Sequence, residues 1–190
     1  YDGHKFLHEV AKSGAAGAFV NRDFTVGDLG IPTVRVLDTK ELMLALAKAW
    51  RSCLDQARFV GITGSLGKTT AKSLAAHILS KKNSTFSSPG NFNNEFGVPL
   101  SLYQMSQEHH CGVFEMGARR PKDIALLTQV VQPHVACLLN AGDAHLEIFG
   151  SRERLLETKL EIFSHSSPNT HLIYPSDDSR IVKRMEGVAQ

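Results

Sequence analysis

Apolar residues in this chain alternate between short continuous runs and helical spacings, the pattern of a sheet whose strands are joined by helices. The continuous runs predict buried strands, at residues 59–62, 111–116, 135–140 and 172–174. The helical spacings predict the intervening helices, at residues 71–79, 121–131, 151–163 and 177–185. Pro121 lies in the first turn of its helix, and Ser151 is the N-cap of another. Because strands separated by helices pair in parallel, we predict an α/β fold with a doubly wound, mostly parallel sheet.

The first part of the chain predicts a smaller α/β segment. Apolar runs at residues 15–20 and 33–37 are typical of strands. Asp38, followed three residues later by Glu41, matches the capping box that starts a helix. The apolar face predicted for this helix consists of Leu42, Leu46, Ala49 and Trp50. The segment is too small to be a complete domain, and we place a linker near residues 52–58.

A glycine-spaced loop joins the strand at 59–62 to the helix at 71–79. The loop contains Gly64-Ser65-Leu66-Gly67-Lys68-Thr69-Thr70. Glycines let backbone N–H groups point at an anion, and a helix N-terminus adds positive partial charge. The loop therefore predicts a phosphate-binding P-loop, in which Lys68 reaches the phosphates and the Thr69 hydroxyl holds Mg²⁺. Its glycines are three residues apart rather than the usual five, so a plain strand-to-helix turn is the alternative.

Composition narrows the class of protein. The 190 residues are 42% hydrophobic, enough to bury a core, and a formal net charge of +2 argues against a nucleic-acid partner. The three cysteines, Cys53, Cys111 and Cys137, predict reduced thiols in the core rather than a disulfide or a metal site. No apolar stretch is long enough for a membrane span, and no signal-peptide pattern is present. We therefore expect a cytoplasmic protein.

Polar residues follow the carboxyl ends of predicted strands, where doubly wound sheets bind ligands. Glu115 ends one strand, and its carboxylate suits either Mg²⁺ or the N-terminus of the following helix. Asn93 and Asn94 lie in a Pro/Gly-rich loop, where amides serve either turns or a polar ligand. His145 follows another strand and is as typical of a structural histidine as of a metal ligand. Lys159, taken by itself, is typical of a solvated lysine on a helix.

Six segments, in order along nearly the whole chain, resemble the Mur ligases, the ATP-dependent amide-bond-forming enzymes of bacterial peptidoglycan synthesis. They are Asp2-Gly3-His4-x-Phe6, Gly61-Ile62-Thr63-Gly64-Ser65-x-Gly67-Lys68-Thr69-Thr70, Pro89-Gly90-Asn91-x-Asn93-Asn94-x-x-Gly97-Val98-Pro99-Leu100, Glu115-Met116-Gly117-Ala118, Ala144-His145-Leu146-Glu147-x-Phe149-Gly150-Ser151 and Lys159-x-Glu161-Ile162-Phe163. The resemblance implies the P-loop central domain at 54–190, incomplete at its C-terminus. It implies that residues 1–53 are the C-terminal part of the UDP-sugar-binding domain.

The resemblance also implies roles for individual residues. It implies ATP and two Mg²⁺ ions, with nucleotide contacts from Thr63, Gly64, Ser65, Gly67, Lys68, Thr69 and Thr70. It implies metal ligands at Thr69, Glu115, His145 and Lys159, the last of which is often carbamylated in such ligases. Catalytic roles are implied for Lys68, His145 and Lys159, and substrate contacts for Asn93 and Asn94.

Within the family, the Asn-rich loop and the Ala-His-Leu-Glu segment favour the ligase that joins D-alanyl-D-alanine to UDP-N-acetylmuramoyl-tripeptide. The implied reaction forms an acyl phosphate from ATP and the substrate carboxylate, which the amine of D-alanyl-D-alanine then attacks. We expect a monomer in the bacterial cytoplasm. Because such ligases have three domains, we expect this piece to fold but to be inactive alone.

Three other interpretations stay open. A small-molecule kinase or a GTPase shares the P-loop, although the chain contains no Asn-Lys-x-Asp motif for guanine. Another Mur ligase or a folylpolyglutamate-synthase-like enzyme would share most of the segments. A non-catalytic module could bind nucleotide or UDP-sugar without turnover, although intact Lys68, Glu115, His145 and Lys159 argue against a degenerate site.

Overall fold

The chain folds into two compact units, Tyr1–Leu46 and Ala47–Gln190. The computed structural model describes residues 2–142 and 146–186, with the backbone alone at Leu146. Among these residues, no helix combines the length and the apolar character that crossing a membrane requires.

The first unit is a small α/β segment. Its elements are a 3-10 turn (Gly3–Phe6), α1 (Leu7–Lys12), β1 (Ala18–Asn21), β2 (Thr33–Val36) and the beginning of α2 (Thr39–Cys53). β1 and β2 pair in parallel. Asp38 Oδ1 accepts hydrogen bonds from the amides of Lys40 and Glu41 at 2.7 and 2.9 Å, so the predicted helix start is confirmed.

The second unit is built on a parallel sheet with helices on both faces. Its strands are β3 (Arg58–Thr63), β4 (Thr85–Ser87), β5 (Cys111–Glu115), β6 (Val135–Leu138) and β7 (His171–Ile173). Its helices, after the end of α2, are α3 (Lys68–Leu79), α4 (Gly97–Leu102), α5 (Asp123–Val131), α6 (Leu146–Phe149), α7 (Arg152–Ser164) and α8 (Ser179–Met185). The five strands have the order β4-β5-β3-β6-β7 and all pair in parallel, which confirms the predicted fold class.

The order of the strands creates a crevice at the carboxyl ends of the central strands. β3 is central and pairs with β5 on one side and β6 on the other. The chain leaves β3 towards β4, but it leaves β5 in the opposite direction, towards β6. Because parallel crossovers are right-handed, α3 and α5 lie on opposite faces of the sheet. The carboxyl ends of β3 and β5 therefore border the kind of crevice in which doubly wound proteins bind ligands.

Large apolar side chains fill both faces of the central strands. Phe59 and Phe114 stack with their ring centroids 6.0 Å apart. Other fully buried side chains include Leu102, Met105, Met116, Ile124, Leu127, Leu138, Leu155, Ile162 and Ile181. On the α5 side, the Glu161 carboxylate of α7 accepts hydrogen bonds from the amides of Lys122 and Ala125 at 2.8 and 3.0 Å. These two bonds fasten the start of α5 to α7.

The residues whose helical spacing predicts α3, Ala71, Leu74, Ala75, Ile78 and Leu79, predict an apolar face that the structure does not bury as a whole. Leu74 and Ile78 are 59% and 60% exposed, whereas Lys72 is 3% exposed. Lys68 bends back over the phosphate loop, and the residue four positions later lies on the same side of a helix. The inward side of α3 is therefore set by Lys68 and Lys72 rather than by the apolar period.

The face predicted for α2 is wrong in part: Leu42 and Trp50 are half-buried, but Leu46 and Ala49 are exposed while Leu44 and Ala47 are buried. Arg51 sets the inward side: its guanidinium donates to the carbonyls of Val131 and Gln132 and lies 3.7 Å from the centre of the Phe59 ring. Ala47 precedes Arg51 by four residues and lies on the same side of the helix. Cys53 ends α2 and is exposed, so it belongs neither to the predicted linker nor to the core.

The pattern of apolar residues predicts neither the short elements nor the first residue of α5. β4, α4 and α6 are three, six and four residues long, too short to show a period. α5 begins at Asp123 rather than at Pro121, because Lys122 has a left-handed backbone with φ of 73°. The Asp123 carboxylate accepts hydrogen bonds from the amides of Arg119 and Arg120 in the turn before the helix.

Two leucine substitutions test this core. We expect Leu138→Ala to lower the free energy of unfolding of the 190-residue chain by about 2–5 kcal/mol, because Leu138 is 1% exposed on a central strand. Leu74→Ala is the matched control and should change it by less than about 0.5 kcal/mol, since Leu74 is 59% exposed. Urea unfolding followed by circular dichroism measures both values. A large loss for Leu74→Ala would restore the apolar face predicted for α3.

Candidate functional site

The loop between β3 and α3 passes close to the end of β6. Gly67, the N-cap of α3, has φ of 79°, a left-handed conformation that favours glycine. A Cβ added to Gly64 would lie only 3.1 Å from Leu139 Cβ. The two glycines are therefore required by the shape of the loop, and the predicted strand, loop and helix are all present.

The start of α3 presents a cluster of backbone donors. Within the described residues, the amides of residues 67–70 donate hydrogen bonds to no other group, and Gly67 offers no side chain to cap them. The first N–H groups of a helix carry the positive end of its dipole and readily bind an anion. This arrangement fits the predicted phosphate site.

Lys68 adds a cation to these amides. Its Nζ donates to the carbonyls of Gly64 and Ser65 at 2.9 and 3.2 Å, so the side chain lies back over the loop. Burial lowers the pKa of Lys68, and the nearby Glu115 carboxylate raises it in opposition. The ammonium is thus within reach of any group bound by the amides of the loop.

Asn140, just after β6, holds the phosphate loop in shape. Its Oδ1 accepts hydrogen bonds from the amides of Ser65 and Leu66, both at 3.0 Å. Its Nδ2 donates to the Leu66 carbonyl at 3.1 Å, and Ser65 Oγ donates to the carbonyl of Gly142. These bonds fix the first half of the loop and leave the amides of residues 67–70 for a ligand.

Glu115 is buried at the end of β5, with 2% exposure. Its Oε2 accepts a hydrogen bond from Thr69 Oγ1 at 2.8 Å, and its Oε1 accepts one from Asn93 Nδ2 at 2.8 Å. The amide of Ala125 in the first turn of α5 bonds to Glu161 instead, and the amide of Arg120 in the turn before it bonds to Asp123. The alternative role for Glu115, capping the following helix, is therefore wrong.

Asn93 and Asn94 of the Asn-rich loop make different contacts. Asn94 Oδ1 accepts from the amides of Phe96 and Gly97, so Asn94 caps α4. Asn93 instead points to Glu115. Of the two asparagines predicted to contact substrate, one therefore faces the crevice and the other shapes the loop.

Lys159 is 2% exposed on α7, so the interpretation of a solvated lysine is wrong. Burial lowers the pKa of Lys159 to about 8, repulsion from Lys68 adds to this shift, and Glu161 opposes it. Lys159 therefore loses its proton far more readily than an ordinary lysine. Such an amine is a nucleophile near neutral pH.

The positions of the remaining predicted residues say less about their roles. Thr63 is fully buried, and its Oγ1 donates to the carbonyl of Met116 at 2.9 Å, which joins the ends of β3 and β5. Thr70 is exposed in the first turn of α3. His145 lies outside the described residues, so its predicted metal and catalytic roles stay predictions.

Together these groups can bind a phosphate chain and a hard cation. Free amides and Lys68 suit phosphate oxygens, while Thr69 and Glu115 place two oxygen ligands side by side. Among residues 2–142 and 146–186, no three His, Cys, Asp or Glu side chains form a group that could hold a metal. Mg²⁺ is commonly held by one or two carboxylates together with phosphates, so this oxygen pair fits such an ion.

Three contributors to the site do not follow from the apolar pattern. The apolar pattern of the predicted helix does not indicate that Lys72 is buried, although its spacing of four residues from Lys68 places the two lysines on one side of the helix. Asn140 was visible only as a polar residue at a strand end. Glu161, two residues after Lys159, fastens α7 to α5, and its partners are backbone amides that no sequence pattern reveals.

Comparison with known proteins gives matches along almost the whole chain. Residues 62–189 match the family described as Mur ligase middle domain. The chain is 33% identical over 188 residues to the UDP-N-acetylmuramoyl-tripeptide–D-alanyl-D-alanine ligase of Treponema pallidum (strain Nichols), which covers 95% of this chain and 41% of that protein.

Solved structures agree with these sequence matches. MurF from Acinetobacter baumannii superposes with a TM-score of 0.90 at 34% identity, covering 98% of this chain and 40% of that one. MurF ligase from Thermotoga maritima in complex with ADP superposes with a TM-score of 0.88 at 38% identity, covering 98% of this chain and 43% of that one. The chain thus spans about two-fifths of the length of each of these three relatives.

Substitution of Asn140 tests whether its side chain holds the phosphate loop in shape. We expect Asn140→Ala to weaken ADP binding by at least about fivefold, since it removes two hydrogen bonds to loop amides that are worth about 0.5–1.5 kcal/mol each. Isothermal titration calorimetry measures the affinity, and Asn83→Ala, in an exposed turn, is the matched control. Unchanged affinity in a folded Asn140→Ala protein would show that the loop keeps its shape without this side chain.

Proposed function

The chain belongs to the Mur ligase family, and we propose that it is the nucleotide-binding part of a ligase that joins D-alanyl-D-alanine to UDP-N-acetylmuramoyl-tripeptide. The observation that carries this proposal is the convergence of the free amides of residues 67–70, Lys68 and the Thr69–Glu115 pair in one crevice. The named relatives support the choice of ligase. Residues 54–190 would then be the central ATP-binding domain, and residues 1–53 the last part of the UDP-sugar-binding domain.

ATP binding is supported by the phosphate loop. The amides of residues 67–70 and the ammonium of Lys68 would hold the β- and γ-phosphates. When bound there, Mg²⁺ would neutralise phosphate charge, and Thr69 and Glu115 would be its protein ligands, with His145 as a further predicted ligand. Thr69 Oγ1 and Glu115 Oε2 are 2.8 Å apart, which supports their serving one ion.

We further propose that Lys159 is carbamylated and supplies oxygen ligands for a second Mg²⁺. An amine adds CO₂ only in its neutral form, and burial lowers the pKa of Lys159 to about 8. Roughly one-tenth of Lys159 is then neutral at pH 7, against about one in 3,000 for an ordinary lysine. The carbamate would also replace a buried cation beside Lys68 by an anion, which removes their repulsion.

The proposed reaction has two steps. First, an oxygen of the tripeptide carboxylate bonds to the γ-phosphorus of ATP, the bond to the bridging oxygen breaks, and ADP leaves. Then the amine of D-alanyl-D-alanine bonds to the acyl carbon, loses a proton, and phosphate leaves. Lys68 and the loop amides would stabilise the charge that develops on the phosphoryl oxygens, so the protein acts mainly by positioning and electrostatics.

The Asn-rich loop would face the UDP-linked substrate. Asn93 already holds one oxygen of Glu115, so it lies beside the place where the γ-phosphate and the carboxylate would meet. Asn94 would act indirectly, through its cap on α4. A bacterial cytoplasmic location and a monomeric state remain predictions that accompany this function.

A non-catalytic module that binds nucleotide or UDP-sugar is the second candidate. The arrangement of Lys68, Glu115 and buried Lys159 favours an enzyme, because burying Lys159 close enough to Lys68 for the two charges to repel is unnecessary for binding a sugar nucleotide. A different ligase of the same family is disfavoured by the named relatives, which are D-alanyl-D-alanine ligases and MurF proteins.

Phosphate release by the full-length protein distinguishes these candidates. We expect release from ATP to require both UDP-N-acetylmuramoyl-tripeptide and D-alanyl-D-alanine, and Lys68→Ala to lower the rate at least 100-fold because a phosphoryl-stabilising cation is lost. Lys82→Ala, an exposed lysine just after α3, is the control. Nucleotide binding without release would favour the non-catalytic module, and release with a single amino acid would favour another ligase.

Labelled bicarbonate tests the carbamate on Lys159. In the full-length protein with ¹³C-bicarbonate, we expect one carbamate signal by NMR that is absent in Lys159→Arg. Because the neutral amine is the form that adds CO₂ and the pKa is about 8, the rate of carbamate formation at a fixed concentration of dissolved CO₂ should rise between pH 7 and pH 9. The same spectrum in both proteins, or a rate that falls with pH at fixed dissolved CO₂, would contradict the carbamate.

A further inference from the structure

Lys72 is a buried lysine that the proposed reaction does not use. It lies one helical turn after Lys68 on α3 and is 3% exposed. Its Nζ donates hydrogen bonds to the carbonyls of Ser88 and Gly90 at 2.6 and 2.7 Å. The same nitrogen lies 4.0 Å from Glu115 Oε2. A buried ammonium is stable only with such partners, so its position is closely fixed.

The two carbonyls belong to the strand end and loop that lead to Asn93. Ser88 and Gly90 flank Pro89, and the amide of Ser88 donates to the carbonyl of Val113 in the middle of β5. Further along, the Asn93 carbonyl accepts from the amide of Gly117 at 2.7 Å. The loop at residues 88–94 is therefore held at one end by Lys72 and at the other by Glu115 and Gly117.

The packing around this loop leaves little room for another conformation. A Cβ on Gly117 would lie 3.0 Å from the side chain of Asn93, and one on Gly97 would lie 2.6 Å from Phe92. Glycines at both positions let the loop lie directly on its neighbours. These contacts act beyond Gly90. In the first half of the loop, Ser88 is held by Lys72, Val113 and the amide of Glu115, and Lys72 is the group that holds Gly90.

We propose that Lys72 is a positioning residue, which holds the loop at residues 88–94 against Glu115 and so couples the phosphate-loop helix to the loop that carries Asn93. Lys72 acts through other groups: its hydrogen bonds go to main-chain carbonyls, and its burial beneath the loop keeps it from a ligand in the crevice. Burial also lowers the pKa of Lys72, while Glu115 raises it.

Hydrogen–deuterium exchange of the full-length protein tests the structural part of this proposal. In Lys72→Met, which keeps the length of the side chain but has no ammonium, peptides covering residues 88–97 should exchange at least fivefold faster. The amides of Phe92 and Asn93, which donate hydrogen bonds within the loop, are the reporters. Peptides from β6 and α7 should change less than twofold, and Lys82→Met should leave all peptides unchanged.

Loop exchange equal to that of the unsubstituted protein would overturn the proposal. If Lys72→Met does not fold, the same measurement is made on Lys72→Gln, which keeps a short donor. Failure of both variants to fold would also overturn the proposal, because Lys72 would then be a general requirement of the fold rather than a positioning residue.

A kinetic measurement tests the consequence for substrate, which rests on the proposed function. In Lys72→Met, the KM for the UDP-linked substrate should rise at least tenfold, while the affinity for ADP, measured by calorimetry, should change less than threefold. If binding of the UDP-linked substrate and binding of ADP weaken by the same factor, the coupling is overturned, because Lys72 would then act on the nucleotide site. If the unsubstituted protein is no ligase, the proposed function fails, but the exchange experiment still decides the role of Lys72.

Discussion

The buried carboxylate of Glu115 is the constraint around which the crevice is built. An anion with 2% exposure is stable only when charges and hydrogen-bond donors surround it. Those partners come from different elements: Thr69 from α3, Asn93 from the Asn-rich loop, and Lys72 from the next turn of α3. Satisfying one side chain therefore fixes the mutual positions of a helix, a loop and a central strand.

Positive charge exceeds negative charge near Glu115. Two lysines, Lys68 and Lys72, are partly or wholly buried beside this carboxylate, and Lys159 is buried near Lys68. In a region of low dielectric, uncompensated positive charge raises the free energy of the empty site and favours a polyanion. The same burial that lowers the pKa of Lys68 and Lys159 therefore favours the binding of phosphate.

The parts of this site that depend on backbone geometry could be predicted, and those that depend on packing could not. The P-loop and the strand ending at Glu115 follow from local patterns, because glycine spacing and apolar runs dictate conformation directly. The burial of Lys72 and Lys159 depends on which side of a helix meets the sheet, and an apolar period gives the wrong answer when buried lysines occupy that side. The bonds of Asn140 join residues 75 positions apart, which no local pattern reveals.

That separation has a consequence for biosynthesis. The amides of Ser65 and Leu66 receive their partner only when Asn140 has been added to the chain, and β3 lacks its neighbour β6 until about the same moment. At roughly 5–20 residues per second, the ribosome needs about 4–15 s to cover that distance. During this interval the phosphate loop is an unsupported glycine-rich segment beside an unpaired strand edge. A nascent chain stalled before Asn140 should therefore be a better client for chaperones and proteases than one stalled some thirty residues after it.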